Sequence, residues 1–284
     1  MNAIQKRNKD KRDVFYRLAK EQGWRARSAF KLLQVDEEFN IFHNVTRVVD
    51  LCAAPGSWSQ VLERKVGRVC KAQGKGQARI VAVDLQQMAP IPGVIQLQGD
   101  ITKQSTANAI KRELGNELAQ LVVCDGAGDV TGNFEMDEYV QAQLILAALN
   151  ISTTLLAPSG AFVSKMFKSR QVDYMVAQMK LFFERVSVVK PRSSRSSSNE
   201  HFIVCLGYHG MLEGYGGMKG MDPESGSEGE ERRELNALTK FVYSGDLSGF
   251  ESREGSDGGV RKKLKVDALL PPVFQSFLDA SNLV

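Results

Sequence analysis

No apolar run in this chain approaches the roughly 20 residues that a membrane-spanning helix needs. The opening residues Met1-Asn2-Ala3-Ile4-Gln5-Lys6-Arg7 are not followed by the apolar stretch of a secretory leader. Neither membrane insertion nor secretion is expected, and a cytoplasmic setting is. Cysteine is scarce, with only Cys52, Cys70, Cys124 and Cys205, and no two of them form a Cys-x-x-Cys pair. At least Cys52, Cys124 and Cys205 lie in apolar, strand-like contexts, so buried free thiols are expected rather than disulfides or a metal site. Two nucleotide signatures are also missing. There is no Gly-x-Gly-x-x-Gly turn, and Gly74-Lys75-Gly76 lacks the spacing and the hydroxyl residue of a phosphate loop. The first guess for a ligand is therefore neither a nicotinamide nor a nucleoside triphosphate.

What is present is an ordinary globular composition over 284 residues, 43% hydrophobic and 25% charged. The charge is unevenly placed. Residues 1–31 carry ten Lys/Arg against three Asp/Glu, residues 32–208 carry 18 against 17, and residues 209–284 carry nine against 13. A basic arm on a neutral core is the electrostatic footprint of a polyanion partner, most simply nucleic acid.

Apolar residues recur at helical spacing through residues 9–39, with a break at Gly23-Trp24 and with Ser28 placed to cap the second helix. From Val45 onward, short β-branched runs alternate with helical patterns. Strands are expected at Val45–Leu51, Ile80–Asp84, Val94–Leu97, Leu121–Asp125, Ala161–Phe167, Val186–Val189 and His201–Tyr208. Helices are expected from Ser59 to Lys65, Ser105 to Leu114, Asp137 to Leu156 and Val172 to Phe183, with Pro158-Ser159-Gly160 stopping the third. This alternation predicts a doubly wound α/β domain with a mostly parallel sheet, covering residues 1–208 with its basic helical arm. Residues 209–284 turn acidic and low in complexity and read as a flexible tail with short docking segments.

The stretch Asp50-Leu51-Cys52-Ala53-Ala54-Pro55-Gly56-Ser57-Trp58 runs from a buried strand through a small-residue turn into a helix, the place where open α/β sheets bind ligands. Strands ending at Asp50, Asp84 and Asp125, and a fourth followed by Gly99-Asp100, place carboxylates around that crevice. Asp84 is placed to accept two ribose hydroxyls and Asp100 to accept an adenine amine.

The turn motif, with Arg25-Ala26-Arg27-Ser28-Ala29-Phe30-Lys31-Leu32 upstream, resembles the FtsJ/RrmJ-type RNA ribose 2′-O-methyltransferases. Asp125-Gly126-Ala127, Ser164-Lys165-Met166-Phe167 and Ser197-Ser198-Asn199-Glu200 extend the likeness in the family's order over roughly residues 10–208. The short lead from the arm to the core and the Asp246-Leu247-Ser248 region of the tail resemble the eukaryotic cytoplasmic tRNA subgroup, which acts on the anticodon loop. The resemblance implies a Rossmann-like fold of the S-adenosylmethionine-dependent type and catalytic roles for Lys31, Asp125, Lys165 and Glu200. It places cofactor contacts at Gly56, Trp58, Asp84, Asp100 and Asp125. It also implies tRNA as partner and accessory subunits that choose the position methylated.

Lys165, in the apolar company of Phe162, Val163, Met166 and Phe167, is the candidate base. Deprotonating an ordinary lysine at neutral pH takes about 4 kcal/mol. Burial and a second cation, Lys31, work towards it, whereas Asp125 and Glu200 oppose it and orient the amine, so a protonated Lys165 that only steers the hydroxyl is the alternative. RNA contact is expected at Lys11, Arg12, Arg25, Arg27, Arg192 and Arg195. Three other readings stand beside this one: methylation of rRNA, a cytosine-5 methyltransferase, and a non-catalytic RNA-binding subunit. The second needs a nucleophilic cysteine, with a motif such as Pro-Cys, after the fourth strand; here that strand ends Cys124-Asp125.

Overall fold

The computed structural model describes residues 13–127, 134–168 and 172–210. Helix α1 spans Val14–Glu21 and α2 spans Ala29–Phe39. Asp13 caps α1, its carboxylate accepting the N–H groups of Phe15 and Tyr16. Ser28, the expected cap of α2, makes no such bond; its hydroxyl is 2.6 Å from that of Ser57 instead. The first helix pair is thereby stitched to the turn after the first strand.

The described strands are β1 (Arg47–Leu51), β2 (Arg79–Asp84), β3 (Ile95–Gln98), β4 (Ala119–Cys124), β5 (Leu156–Phe167), β6 (Phe183–Val189) and β7 (Glu200–Tyr208). They form one sheet in the order β3-β2-β1-β4-β5-β7-β6, parallel from β3 to β5, with β7 antiparallel to both its neighbours. This is the expected fold class, a doubly wound, mostly parallel sheet. The chain starts at β1, builds outward through β2 and β3, and then returns to β4. The crevice between β1 and β4 is therefore the point where the strand order reverses, and ligands bind outside the strand ends there.

Both faces of the sheet are apolar because alternate residues of each inner strand point opposite ways. Val49, Val81, Val122 and Phe162 face α5 (Gln104–Glu113), α6 (Phe134–Leu155) and α7 (Val172–Met179). Val48, Ile80, Leu121, Val123 and Val163 face the opposite layer. That layer is α1, α2 and the helical run α3 (Ser57–Leu62), a π-helical turn (Glu63–Gly67) and α4 (Arg68–Ala72).

Pro158-Ser159-Gly160 does not separate α6 from β5 as expected. The strand begins directly at Leu156, and the three residues form a bulge inside it. The pairing passes from Ala119↔Leu156 to Leu121↔Ala161, and Ser159 adopts a positive φ of 61°. The expected tail lies outside the described residues apart from His209 and Gly210.

Candidate active site

Beyond the switch point lies a cleft of about 1190 Å³, with Ala54 and Pro55 on one wall, Asp84–Ala89 and Gly99–Thr102 on a second, and Val140, Gln143, Leu144 and Ala147 of α6 on a third. The turn that opens it is fixed by its own backbone and by the end of β2. Ala53 N–H donates to Val83 O (3.1 Å), Gly56 N–H to Ala53 O (2.6 Å), and Ala54 N–H to Asp84 Oδ2 (2.9 Å). Gly56 sits at φ 101°, and a Cβ there would come within 2.7 Å of the Arg25 guanidinium and 2.9 Å of Ile91. Its lack of a side chain thus serves the packing of the rim.

Asp84 and Asp100 line the cleft. Asp84 accepts from Ala54 N–H and, at 2.8 Å, from Gln86 N–H. Asp100 accepts from the backbone N–H and the hydroxyl of Thr102, which together hold its carboxyl below the usual range. Asp50 departs from the expected ring of acids. It is the penultimate residue of β1, fully buried beneath the turn, and bonded to the Ser59 hydroxyl at 2.6 Å. Burial pushes it up to about 7, with Asp125 and Asp84 adding repulsion and the Ser59 bond opposing.

Trp58 also departs from expectation. It lies in the core, 1% exposed, with its indole N–H donated to Ser28 O (2.9 Å) and its ring against Phe202 (5.7 Å between centroids). An indole this size finds its burial on the inner side of α3, so it braces the turn from behind rather than walling the cleft.

Strand alternation brings the four charged residues of the motif set together. Val123, Val163 and Phe202 all face the layer that contains α2. Asp125 and Lys165 follow two residues after the first two, and Glu200 stands two before the third, so all three project from that same face at the ends of adjacent strands. Lys165 pairs directly with Phe202 across the β5–β7 ladder, making Glu200 its diagonal neighbour. Helix α2 then places Lys31 over the Phe202 ring, 5.9 Å from its centroid.

The outcome is two ion pairs. Lys31 Nζ is 2.5 Å from Glu200 Oε1, and Lys165 Nζ is 3.2 Å from Asp125 Oδ1 while donating to Asp125 O at 2.7 Å. Both lysines are only 9% exposed, and Lys165 and Asp125 open on to the cleft. Each cation carries its own carboxylate, so the group as a whole is close to neutral.

The arginines expected at RNA sort differently. Arg25 donates to Pro55 O (3.0 Å) and Pro90 O (2.9 Å), clamping the turn to the loop after β2. Arg27 holds Ser193 O and the Asp13 carboxylate, and Arg195 stands 3.5 Å from the same carboxylate. Gln34 Oε1 accepts from both the N–H and the hydroxyl of Ser193. The Ser-rich loop is thus docked on the helical arm. Arg192 is the most open of the four, its side chain 86% exposed and 3.8 Å from Glu37, against 47% for Arg195. Lys11 and Arg12 lie outside the described residues.

The site holds residues that sequence reasoning passed over. Asp13, which the sequence reading placed inside a helical stretch, is the cap of α1 and the partner of two arginines. Gln141, on the first half of α6, donates to Gly126 O and Lys165 O, and nothing in its local pattern announces that. Cys52, at φ 53°, lines the cleft beside Cys124. The hydrogen bond to Cys124 and burial push its thiol far up, which keeps it protonated and unsuited to nucleophilic attack. All four cysteines are free.

Residues 24–208 match the FtsJ-like methyltransferase family. The chain is 50% identical to a Homo sapiens tRNA (cytidine(32)/guanosine(34)-2′-O)-methyltransferase, over 97% of this chain and 84% of that protein. It is 39% identical to a Gallus gallus pre-rRNA 2′-O-ribose RNA methyltransferase, over 73% of this chain and 24% of that one. A solved structure of a putative ribosomal RNA methyltransferase from Plasmodium falciparum superposes with a TM-score of 0.57 at 24% identity, covering 66% of this chain and all of that chain. That superposition supports the fold.

Proposed function

The chain belongs to the FtsJ-like methyltransferase family, and on that premise we propose that it transfers a methyl group from S-adenosylmethionine to ribose 2′-hydroxyls in the anticodon loop of tRNA. The observation that carries the reading is the convergence of Lys31, Asp125, Lys165 and Glu200 beside a cleft walled by Asp84 and Asp100. tRNA is favoured over rRNA because the likeness to the human tRNA enzyme runs through most of both chains, whereas that to the pre-rRNA enzyme covers a quarter of the latter.

The cleft residues fit the cofactor. Each oxygen of Asp84 has used one acceptor site on a backbone N–H, which leaves a second for a ribose hydroxyl. Asp100, held ionised by Thr102, accepts an adenine amine. Asp125 and Lys165 compensate each other on the wall, which leaves the carboxylates of Asp84 and Asp100 against the Arg25 guanidinium, itself turned to Pro55 O and Pro90 O, so the lining has a small acidic excess that suits a sulfonium cation. Gly56 leaves the turn free of a side chain, and Trp58 stiffens it from the core. The volume exceeds the roughly 300–1,000 Å³ of ordinary small-molecule sites, giving room for a nucleotide beside the cofactor.

When bound, S-adenosylmethionine supplies an electrophilic methyl group on sulfur. The chain's task is to present a ribose oxygen in line and to manage its proton. Lys165 holds the 2′-hydroxyl in line and takes its proton only in the neutral amine form, having first released its own proton to solvent, while Asp125 fixes the amine through its carbonyl and its carboxylate. Glu200, anchored by Lys31, orients the acceptor ribose. Arg192, with Lys11 and Arg12 of the arm, binds phosphates; Arg25, Arg27 and Arg195 shape the rim. Accessory subunits in the cytoplasm choose the nucleotide, and the 209–284 tail offers them a docking segment.

The deciding experiment incubates full-length protein with S-adenosylmethionine and bulk tRNA and maps ribose methylation. Lys165→Ala is expected to abolish transfer while S-adenosylhomocysteine still binds. Transfer surviving in Lys165→Ala, or methylation confined to sites outside the anticodon loop, overturns the reading.

A further inference from the structure

The β4–β5 ladder ends at Cys124↔Ser164, one residue short of Asp125 and Lys165. On its other edge β5 keeps its partner, pairing with β7 through Lys165↔Phe202 as far as Phe167↔Glu200. The two residues whose side chains must meet, Asp125 and Lys165, therefore stand where the main-chain bonding between their strands has stopped. Gln141 spans the gap. Its Nε2 donates to Gly126 O at 3.2 Å and to Lys165 O at 3.0 Å, one carbonyl from each strand end.

The rest of the side chain points to the same use. Gln141 is 2% exposed, and its Oε1 has no hydrogen-bond partner among the described residues. A buried acceptor left unpaired is a cost that leucine or methionine would avoid at this position. Glutamine brings one thing they lack, an amide N–H₂ that serves two carbonyls at once. Among the described residues, the bonds that fix the Lys165 amine both come from Asp125, and Asp125 lies between the last ladder residue and the Gly126 carbonyl that Gln141 holds.

We infer that Gln141 is a positioning residue of the methyl-transfer site: its amide replaces the missing rung between β4 and β5 and sets where Lys165 stands against Asp125. The inference rests on the proposed role of Lys165, and its test includes one measurement that needs no turnover.

Two full-length variants carry the test. Gln141→Met keeps the shape and removes the donors, and is expected to lower kcat at least about ten-fold while KM for cofactor and tRNA stays within about three-fold. Gln141→Glu regains one donor when its carboxyl is protonated and has none when ionised. Its activity relative to wild type is expected to fall as pH rises, while the Gln141→Met ratio stays flat. Thermal midpoints are read alongside, and Gln141→Glu carries the test should Gln141→Met fail to fold. Without RNA or cofactor, acetylation of Lys165 by acetic anhydride, followed by peptide mass mapping, is expected to speed up several-fold in Gln141→Met. A kcat within two-fold of wild type, a Gln141→Glu ratio independent of pH, or an unchanged acetylation rate each overturns the inference. An enzyme that methylates no tRNA, yet shows the faster Lys165 acetylation in the variant, sinks the functional reading and leaves the positioning role standing.

Discussion

Replacing Glu200 by Gln tests whether the Lys31–Glu200 pair is a functional device or a structural one. The two groups are 2.5 Å apart, with side chains 11% and 15% exposed, so water screens them little. Removing one partner of a buried pair costs about 3–5 kcal/mol, because the remaining charge is left uncompensated. Gln keeps a neutral acceptor for the ammonium, and a hydrogen bond to a charged group retains about 1.5–3 kcal/mol, so a net loss of about 2 kcal/mol is expected. For a domain of this size that lowers the thermal midpoint by about 4–8 °C. Lys31→Met leaves Glu200 with the Ser194 hydroxyl as its remaining side-chain partner (3.2 Å) and is expected to cost a similar amount. The double variant removes both charges together, and replacing a buried pair by uncharged groups is close to neutral in stability. A double-mutant cycle by scanning calorimetry should therefore show a coupling of about 4 kcal/mol, the two single losses recovered together. Methyl transfer should behave oppositely, lost in each single variant and not restored in the double. Additive destabilisation would refute the pairing energetics, and a double variant with near-wild-type kcat would refute the catalytic role.

Three further outcomes follow from the geometry. Asp50 is raised in the folded protein from the ordinary carboxylate range to about 7, so its protonated form is favoured by folding. Its contribution is present below about pH 4 and is lost as pH rises to 7. Asp50→Asn should flatten that part of the pH–stability curve and narrow its advantage towards acid pH; parallel melting curves from pH 5 to 8 would count against the assignment. Asp84→Ala leaves the N–H groups of Ala54 and Gln86 without their acceptor as well as removing the ribose contact. It should weaken S-adenosylhomocysteine binding by at least about ten-fold, or about 1.4 kcal/mol, and unchanged affinity in calorimetry would remove Asp84 from the cofactor site. Arg192→Ala should reduce the slope of log affinity against log salt for tRNA by about one phosphate contact; Arg27→Ala should act mainly through stability, since Arg27 holds Ser193 and Asp13. Equal salt slopes for Arg192→Ala and wild type would displace Arg192 from the RNA path.

Much of the architecture was legible in the chain itself. Runs such as Ile80-Val81-Ala82-Val83 read as inner strands of a parallel sheet, buried on both faces, and their alternation with helical patterns gave the doubly wound class, though not the order of the strands. The ordered motifs carrying Lys31, Asp125, Lys165 and Glu200 pointed to one chemistry before any coordinates. Local pattern failed where a residue's role depends on partners far along the chain. Pro158-Ser159-Gly160 carries every local mark of a terminator, yet the pull of β4 on Leu156 turned it into a bulge. Trp58 adjoins the ligand turn in sequence, but helical geometry swung its ring into the core.

The arginines show the same division. Sequence reports their charge, while the use of that charge was decided by Pro55, Pro90, Asp13 and Ser193, which lie up to 166 residues away. The sequence by itself determined the fold class, which follows from periodicity, and its ordered motifs carried the family resemblance that implied the chemistry. Only the tertiary structure decided which lysine meets which carboxylate, and that a glutamine on α6 closes the gap between β4 and β5, because those facts are distances between segments that nothing local can set.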